Sequence, residues 1–347
     1  MIFWVIFIAA IFFCFAPVTI GGIKQERIRI ATGYIIIILI TILRYDVGYD
    51  YVGYFQNLWP YFDIESYQRL EPFGKIFMNL SHIGKHPQIF FALYGIVTFS
   101  CLIIAFKKCS KNIFLSVMFY LAFFYLPGLS TIRQEAAVCI ILLGYIYIRK
   151  KDILKYIAVC IIAALFHSSA LIAILFYPFF RIRNIKHSII ITIAIIALMS
   201  VVMEIVLSIP TFAAYYHYIE DAEGFKGGAL MRFLYLGISL LLLYLSYRNN
   251  ESEIAKISLL SLIGCSMTFL LGGHIGGRIA EYCTIFLCIG IPNMCNYYYK
   301  SKIMPLGMAL SLLFVANIYI SSKNPTKSPY TPYQTIFEID MNNPKFR

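Results

Sequence analysis

The sequence predicts an all-α, polytopic integral membrane protein with about 12 transmembrane helices. Of its 347 residues, 60% are hydrophobic and 13% are charged, whereas a soluble domain has about 25% charged residues. Apolar runs of near-spanning length recur from one end of the chain to the other. Such runs favour helices because lipid offers no partner to unpaired backbone groups. The runs are continuous and do not alternate, which argues against a β-barrel.

Twelve apolar segments are the predicted membrane spans. They cover residues 1–20, 29–43, 88–106, 112–127, 132–148, 153–166, 169–180, 188–207, 230–247, 255–271, 278–296 and 303–320. The first segment lacks a basic stretch before it and an A-x-A cleavage site after it, so we expect a retained span. The spans predict one transmembrane domain over residues 1–320 and a separate tail over residues 321–347.

The basic residues divide the connections between the spans into two groups. Short connections on one side carry 17 of the 29 Lys and Arg residues and four of the 17 acidic residues, which leaves 12 basic and 13 acidic residues for the other side. The positive-inside rule makes the basic side cytoplasmic. The formal net charge of +12 therefore reflects topology, and no nucleic-acid partner is expected. Both termini are predicted to face outward.

The outer side contains two long polar loops, residues 44–87 and 208–229. Within the first loop, Pro72 to Ile83 is predicted to form a short amphipathic helix, because proline suits the first helical turn. The residues expected on its apolar face are Phe73, Ile76, Phe77 and Leu80.

Three polar residues are predicted at membrane depth near the outer face. Arg44 stands 15 positions after Arg29, and Arg149 stands 16 positions after Arg133. These intervals are about 22 and 24 Å of helix, against a hydrocarbon core of about 30 Å. The turn at His167 divides two spans that are also short. Charges at such depth are costly unless they line a wet cavity or meet a ligand, so these positions indicate a polar site.

Arginines are the predicted anion ligands of this site. Arg44, Arg133 and Arg278 each stand in a dense polar patch, and a guanidinium fork suits the oxygens of a diphosphate. For any single outward arginine, such as Arg232, interfacial snorkelling is the default explanation.

Four residues are candidate general bases that would take a proton from an acceptor hydroxyl. The alternative for the acids is a counter-ion of arginine, and for the histidine a satisfied core residue. Tyrosines crowd the loop after Arg44, where they suit sugar rings or serve as interfacial anchors. The candidate bases are Asp50, Glu71, Glu135 and His167, and the predicted sugar-binding residues are Tyr45, Tyr49, Tyr51, Tyr54 and Gln134.

Motifs for cofactors and metals are missing from the sequence. It has no phosphate-binding glycine loop, no H-E-x-x-H, no D-x-D pair and no C-x-x-C. We therefore expect no cofactor and no metal, and the energy for any reaction would come with the substrate.

Four motifs occur in order along the chain. They are Leu43-Arg44-Tyr45-x-Val47-Gly48-x-Asp50-Tyr51-x-x-Tyr54, Glu71-Pro72-Phe73, Ile132-Arg133-Gln134 and Leu165-Phe166-His167-Ser168-Ser169-Ala170. Together they resemble the EpsG-like group of Wzy-type polysaccharide polymerases. The similarity runs from about residue 30 to residue 180, with a weaker match at Gly277-Arg278, and Tyr49 departs from the small polar residue usual there.

The resemblance implies a glycosyltransferase of the bacterial inner membrane with GT-C-like helices around a lateral cavity open to lipid. It would join undecaprenyl-diphosphate-linked oligosaccharides into O-antigen, capsule or exopolysaccharide at the periplasmic face. On this membrane, the outward termini predicted from the basic residues would be periplasmic. Its expected partners are these substrates, the lipid bilayer and a chain-length regulator protein. The alternatives are a lipid-linked oligosaccharide flippase or exporter, and an O-antigen ligase or polyprenyl-phosphate-sugar transferase.

Overall fold

The computed structural model describes residues 1–17, 23–58, 64–208, 225–272, 276–323 and 328–338. It is all-α, with 84% helix, and most of the predicted outer loop 208–229 lies outside the described residues. In chain order the α-helices are α1 (Ile2–Phe15), α2 (Ile23–Leu43), α3 (Tyr51–Leu58), α4 (Ile64–Gln68), α5 (Pro72–Ile83), α6 (Gln88–Cys109), α7 (Ile113–Tyr120), α8 (Leu126–Ser130), α9 (Ile132–Lys150), α10 (Ile153–Ala164), α11 (Phe176–Arg181), α12 (Ile185–Ser208), α13 (Phe225–Arg248), α14 (Ser252–Leu270), α15 (Gly277–Thr284), α16 (Leu287–Tyr298) and α17 (Ile303–Ser322). Two short strands, β1 (Arg44–Tyr45) and β2 (Gln334–Thr335), pair in antiparallel fashion.

Five helices among the described residues are long and apolar enough to cross a membrane. They are Gln88–Cys109, Ile113–Ser130, Leu230–Arg248, Ser252–Leu270 and Lys300–Ser322. Several other apolar helices are shorter, among them α1 and α10. These features agree with a polytopic membrane protein, while the count of about 12 spans and the GT-C-like arrangement stay predictions.

Three predicted spans are not single α-helices. The segment predicted as 169–180 begins as a 3₁₀-helix, Ser168–Leu175, and becomes α11 only afterwards. The segment predicted as 278–296 divides into α15 and α16, because hydrogen bonds from Cys288 to Ile285 and from Ile289 to Phe286 tighten the turn between them. A π-helical turn, Leu121–Tyr125, likewise joins α7 to α8.

The predicted amphipathic helix is confirmed as α5, with the expected bounds and Pro72 in its first turn. Its apolar face differs from the prediction. Phe77 is buried, but Ile76 and Leu80 are exposed, because the helix lies on α6 with the face that also buries Gly74, Met78 and Ser81. The Phe73 ring stacks on Phe166 at a centroid distance of 4.4 Å, and this contact fixes α5 at the end of α10.

Helix α9 lies at the centre of the bundle. It packs against α6 and α10 and also contacts α15, and small residues such as Ala136 and Ala137, both fully buried, permit close approach of its neighbours. Because Arg133, Gln134 and Glu135 stand in the first turn of this central helix, the fold gathers other elements around them.

The tail returns to the opening of the chain and to the polar stretch after α2. The Trp4 indole donates to the Tyr330 carbonyl at 2.6 Å, and the Gly48 amide donates to the Pro329 carbonyl at 2.7 Å. The first and last described residues therefore lie at the same end of the bundle as the Arg44 strand.

Candidate active site

An ion pair between Arg133 and Glu71 forms the centre of the candidate site. Arg133 Nη1 lies 2.5 Å from Glu71 Oε2, with side chains 23% and 14% exposed. Arg133 Nε also donates to the Tyr54 hydroxyl at 3.1 Å. A cation in the first turn of a helix opposes the helix dipole, so the carboxylate offsets an otherwise unfavourable charge. Glu71 reaches this position because it is the residue before Pro72, where α5 begins.

His167 stands beside this pair at the break after α10. Its Nδ1 lies 2.8 Å from the Ser169 hydroxyl, which is in turn 3.1 Å from the Tyr282 hydroxyl. The charges of Glu71 and Arg133 both act on the half-buried imidazole, as does that of Arg278. Nε2 makes no hydrogen bond within the described part of the chain. The Ser169 hydroxyl therefore holds Nδ1, and Nε2 is available to bind a ligand or a proton.

Arg278 approaches from α15, which Gln134 ties to α9. The Gln134 amide is 1% exposed and donates to the Arg278 carbonyl at 2.9 Å and to the Glu281 carboxylate. The Arg278 guanidinium is half-buried and makes no hydrogen bond or ion pair with the described residues. It is therefore a cation that a ligand can engage without first breaking a contact.

Arg44 and Glu135 lie elsewhere, on a small enclosed cavity of about 20 Å³. Arg44 is 1% exposed, and its Nη1 donates to the carbonyls of Val47 at 2.6 Å and Leu129 at 2.5 Å. Glu135 is 3% exposed and accepts from the Tyr120 hydroxyl at 2.8 Å. The cavity has room for about one water. Both side chains are thus held by protein groups, and their predicted diphosphate and base roles stay predictions.

The predicted sugar-binding residues divide by exposure. Tyr45 and Tyr51 are 4% and 1% exposed, and with Gln134 they are enclosed by protein. Tyr49 is 47% exposed, and Tyr54 is half-buried with its hydroxyl on Arg133. The accessible tyrosines are therefore Tyr49 and Tyr54, because the chain after Arg44 folds inward and buries the other two rings.

Asp50 lies near Tyr330 of the tail. It is half-buried, its backbone carbonyl accepts from Tyr54 at 3.0 Å, and its charge acts on Tyr330. The buried Tyr330 lies outside the membrane-spanning helices, and burial raises the pKa of its phenol. Among the described residues, Asp50 makes no hydrogen bond or ion pair with Arg133 or Glu71.

Two cavities lie along α13. The first, of about 170 Å³, is lined by Glu281 and Arg232 together with apolar side chains such as Phe123. The second, of about 250 Å³, shares Phe123 and is lined along α13 from Leu234 to Leu245, almost entirely by apolar atoms. Together they follow α13 for about 20 Å at the helical rise of about 1.5 Å per residue.

Ser169 and Tyr282 are the site residues that the sequence reasoning missed. Their signal in the sequence is weak, since Ser169 is one of two serines after His167 and Tyr282 only follows Glu281. His274 lies outside the described residues. No group of three or more His, Cys, Asp and Glu side chains suited to a metal occurs in the described ranges.

The sequence matches a model of the EpsG family over residues 28–335. No curated protein and no solved structure matches it. The matched range includes Arg133, Glu71, His167 and Arg278.

Proposed function

The chain belongs to the EpsG family, and on that premise we propose that it joins lipid-linked oligosaccharide repeat units into a polysaccharide at the outer face of the bacterial inner membrane. The donor would be a growing chain on undecaprenyl diphosphate. A hydroxyl of the incoming unit attacks the anomeric carbon of that chain, the bond from this carbon to the diphosphate oxygen breaks, and undecaprenyl diphosphate leaves. The product class is O-antigen, capsule or exopolysaccharide.

Arg133 and Arg278 are the proposed ligands of the leaving diphosphate. Negative charge develops on the bridging oxygen as the bond breaks, and preorganised donors aimed at such charge lower the barrier. Arg133 is held in place by Glu71 and Tyr54. Arg278 has no competing contact in the described part of the chain, so both guanidinium groups are suited to a diphosphate between α9 and α15.

His167 is the proposed general base. An imidazole suits proton transfer near neutral pH, and the Ser169 hydroxyl at 2.8 Å fixes the orientation of the ring. In the neutral tautomer with Nδ1 protonated, the Ser169 hydroxyl accepts a hydrogen bond from Nδ1–H, and Nε2 takes the proton of the acceptor hydroxyl. Glu71 is committed to Arg133, which favours the histidine over this carboxylate.

The cavities along α13 are the proposed place of the polyprenyl chain. They begin at Glu281, one turn from Arg278, and continue along an apolar lining toward Tyr299. A diphosphate beside Arg278 would place its attached isoprenoid at the mouth of the first cavity. Apolar side chains bury such a chain favourably.

The observation that carries the proposal is the meeting of Arg133, Arg278 and His167 around one ion pair within a family match that covers most of the chain. Purified protein supplied with a lipid-linked repeat unit tests it, with the products separated by length. A ladder of longer products is expected. A verified substrate that stays unchanged would favour a transporter, and a single addition without a ladder would favour a ligase or a single-addition transferase.

A further inference from the structure

A second polar cavity, of about 330 Å³, lies at the opposite end of the central helix from Arg133. Its position follows from Arg149, which lines it and stands 16 residues after Arg133 on α9, about 24 Å along the helix. The residues that give the cavity its chemistry are Tyr145, Arg149, Arg181, Ser252, Glu253 and Lys256.

The charges in this cavity do not balance. Glu253 is its one acid, and Arg149 Nε lies 3.2 Å from it, while the Tyr145 hydroxyl donates to the same carboxylate oxygen at 2.6 Å. Lys256 is 9% exposed and donates to the Phe180 carbonyl at 3.1 Å. The charge of Arg181 acts on Lys256. Neither of these two cations has an ion pair in the described part of the chain.

Arg181 is the least committed of the cations. Its guanidinium lies over the Tyr177 ring at 5.7 Å, which holds the planar group in one orientation. Its Nε is buried and has no hydrogen-bond partner among the described residues. A buried unpaired donor on a cation is costly, and two like charges close together add repulsion. An anion with several oxygens would accept a hydrogen bond from Nε and offset the repulsion between Arg181 and Lys256.

The start of helix α14 is a further feature that favours an anion in this cavity. It begins at Ser252, which lines the cavity, and runs for 19 residues. The unpaired backbone amides and the dipole of a helix start favour an anion. They act here beside Arg181 and Lys256, so the helix start reinforces side chains that already point to a ligand.

We propose that this cavity binds a phosphate group, supplied by the headgroup of an anionic membrane lipid or by free phosphate. Basic pockets between transmembrane helices suit anionic headgroups. A volume of about 330 Å³ falls at the lower end of the range for small ligands, about 300–1,000 Å³. The site is separate from the Arg133 cluster and does not depend on the glycosyl-transfer function.

Thermal unfolding of the purified full-length protein tests the proposal. The probes are sodium phosphate against sodium chloride at equal ionic strength in detergent, and nanodiscs of phosphatidylcholine with or without phosphatidylglycerol. Binding to the folded state raises the unfolding midpoint. Arg181→Gln should weaken the response at least about tenfold in half-saturating concentration, the cost of one charge-assisted contact. Arg183→Gln is the matched control, since Arg183 is exposed and does not line the cavity.

The probes distinguish the source of the phosphate. A response to phosphatidylglycerol alone supports a lipid headgroup, a response to sodium phosphate alone supports a free anion, and a response to both supports a site open to either. Ser252→Glu brings a negative charge to the exposed start of α14, where acids are tolerated, and should abolish the response if Arg181→Gln does not fold. The proposal is overturned if neither probe raises the wild-type midpoint, or if the folded variants respond like the wild type.

Discussion

Replacing Arg133 by glutamine separates its proposed chemical role from its structural one. The guanidinium binds Glu71 at 2.5 Å and Tyr54 at 3.1 Å, so the substitution removes two charge-assisted contacts whatever the function is. In the proposal it also removes a donor to the leaving diphosphate. Loss of one such donor lowers the rate by about 10²–10³-fold, and we expect ladder formation to fall by this factor.

The stability cost of Arg133→Gln follows from the exposure of the pair. Removing one partner of a fully buried ion pair costs about 3–5 kcal/mol. The Arg133 and Glu71 side chains are 23% and 14% exposed, and solvent screens part of the charge left behind, so we expect about 2 kcal/mol. The unfolding midpoint in detergent measures this loss, while membrane abundance checks that the variant is still inserted.

A double variant separates the two effects. Arg133→Gln combined with Glu71→Gln leaves no unpaired charge, so we expect the unfolding midpoint to return toward the wild-type value while ladder formation stays low. Arg69→Gln is the control, because Arg69 also pairs with a glutamate, Glu65, but their side chains are 75% and 72% exposed. It should leave both stability and activity unchanged.

Two results would refute the reasoning on Arg133. Ladder formation at the wild-type rate by a single variant that is inserted in normal amounts would place the diphosphate elsewhere. Recovery of activity in the double variant would show that the arginine only neutralises Glu71.

The remaining predictions concern the base and the backbone of the Arg44 loop. His167→Asn should lower the rate of chain elongation by about 10²–10⁴-fold, the usual contribution of a general base. Ser169→Ala should cause a smaller loss, because it only removes the hydrogen bond to Nδ1. Equal elongation rates in the wild type and both variants would exclude the histidine as base. Gly48→Ala should destabilise the protein by about 1–3 kcal/mol, because Gly48 has φ of +111° and a Cβ there would lie 2.6 Å from the Leu129 carbonyl. Gly53→Ala is the control, because nothing lies within 4 Å of a Cβ at Gly53 and alanine favours a helix. Thermal unfolding of this variant should show equal or higher stability than the wild type. A loss of stability as large as that of Gly48→Ala would contradict the steric argument.

The sequence predicted those parts of the fold and the site that depend on local pattern. A proline followed by apolar residues was enough for the bounds of α5. Short spans that end at Arg133 and near His167 indicated a polar cluster, and these residues do lie near each other, together with Arg278. Polar groups at the ends of apolar helices have few places to go in a membrane protein, which makes such positions informative.

The sequence could not predict contacts that join distant parts of the chain. The polar run around Arg44 predicts a ligand-binding residue, but Arg44 donates a hydrogen bond to the carbonyl of Leu129, 85 residues away. The sequence does not show which backbone carbonyls act as acceptors. Gln134 is similar, since its partners lie on α15, 144 and 147 residues away. The breaks in the helices could not be predicted for another reason. A continuous run of apolar residues has the same sequence pattern whether it forms an α-, a 3₁₀- or a π-helix.

A structure of the protein with bound undecaprenyl diphosphate tests the central claim most directly. The account predicts the diphosphate between α9 and α15, with oxygens about 2.7–3.1 Å from the guanidinium nitrogens of Arg133 and Arg278, and the isoprenoid chain in the cavities along α13. A diphosphate bound away from both arginines, with Arg133 still paired only to Glu71 and Tyr54, would contradict it.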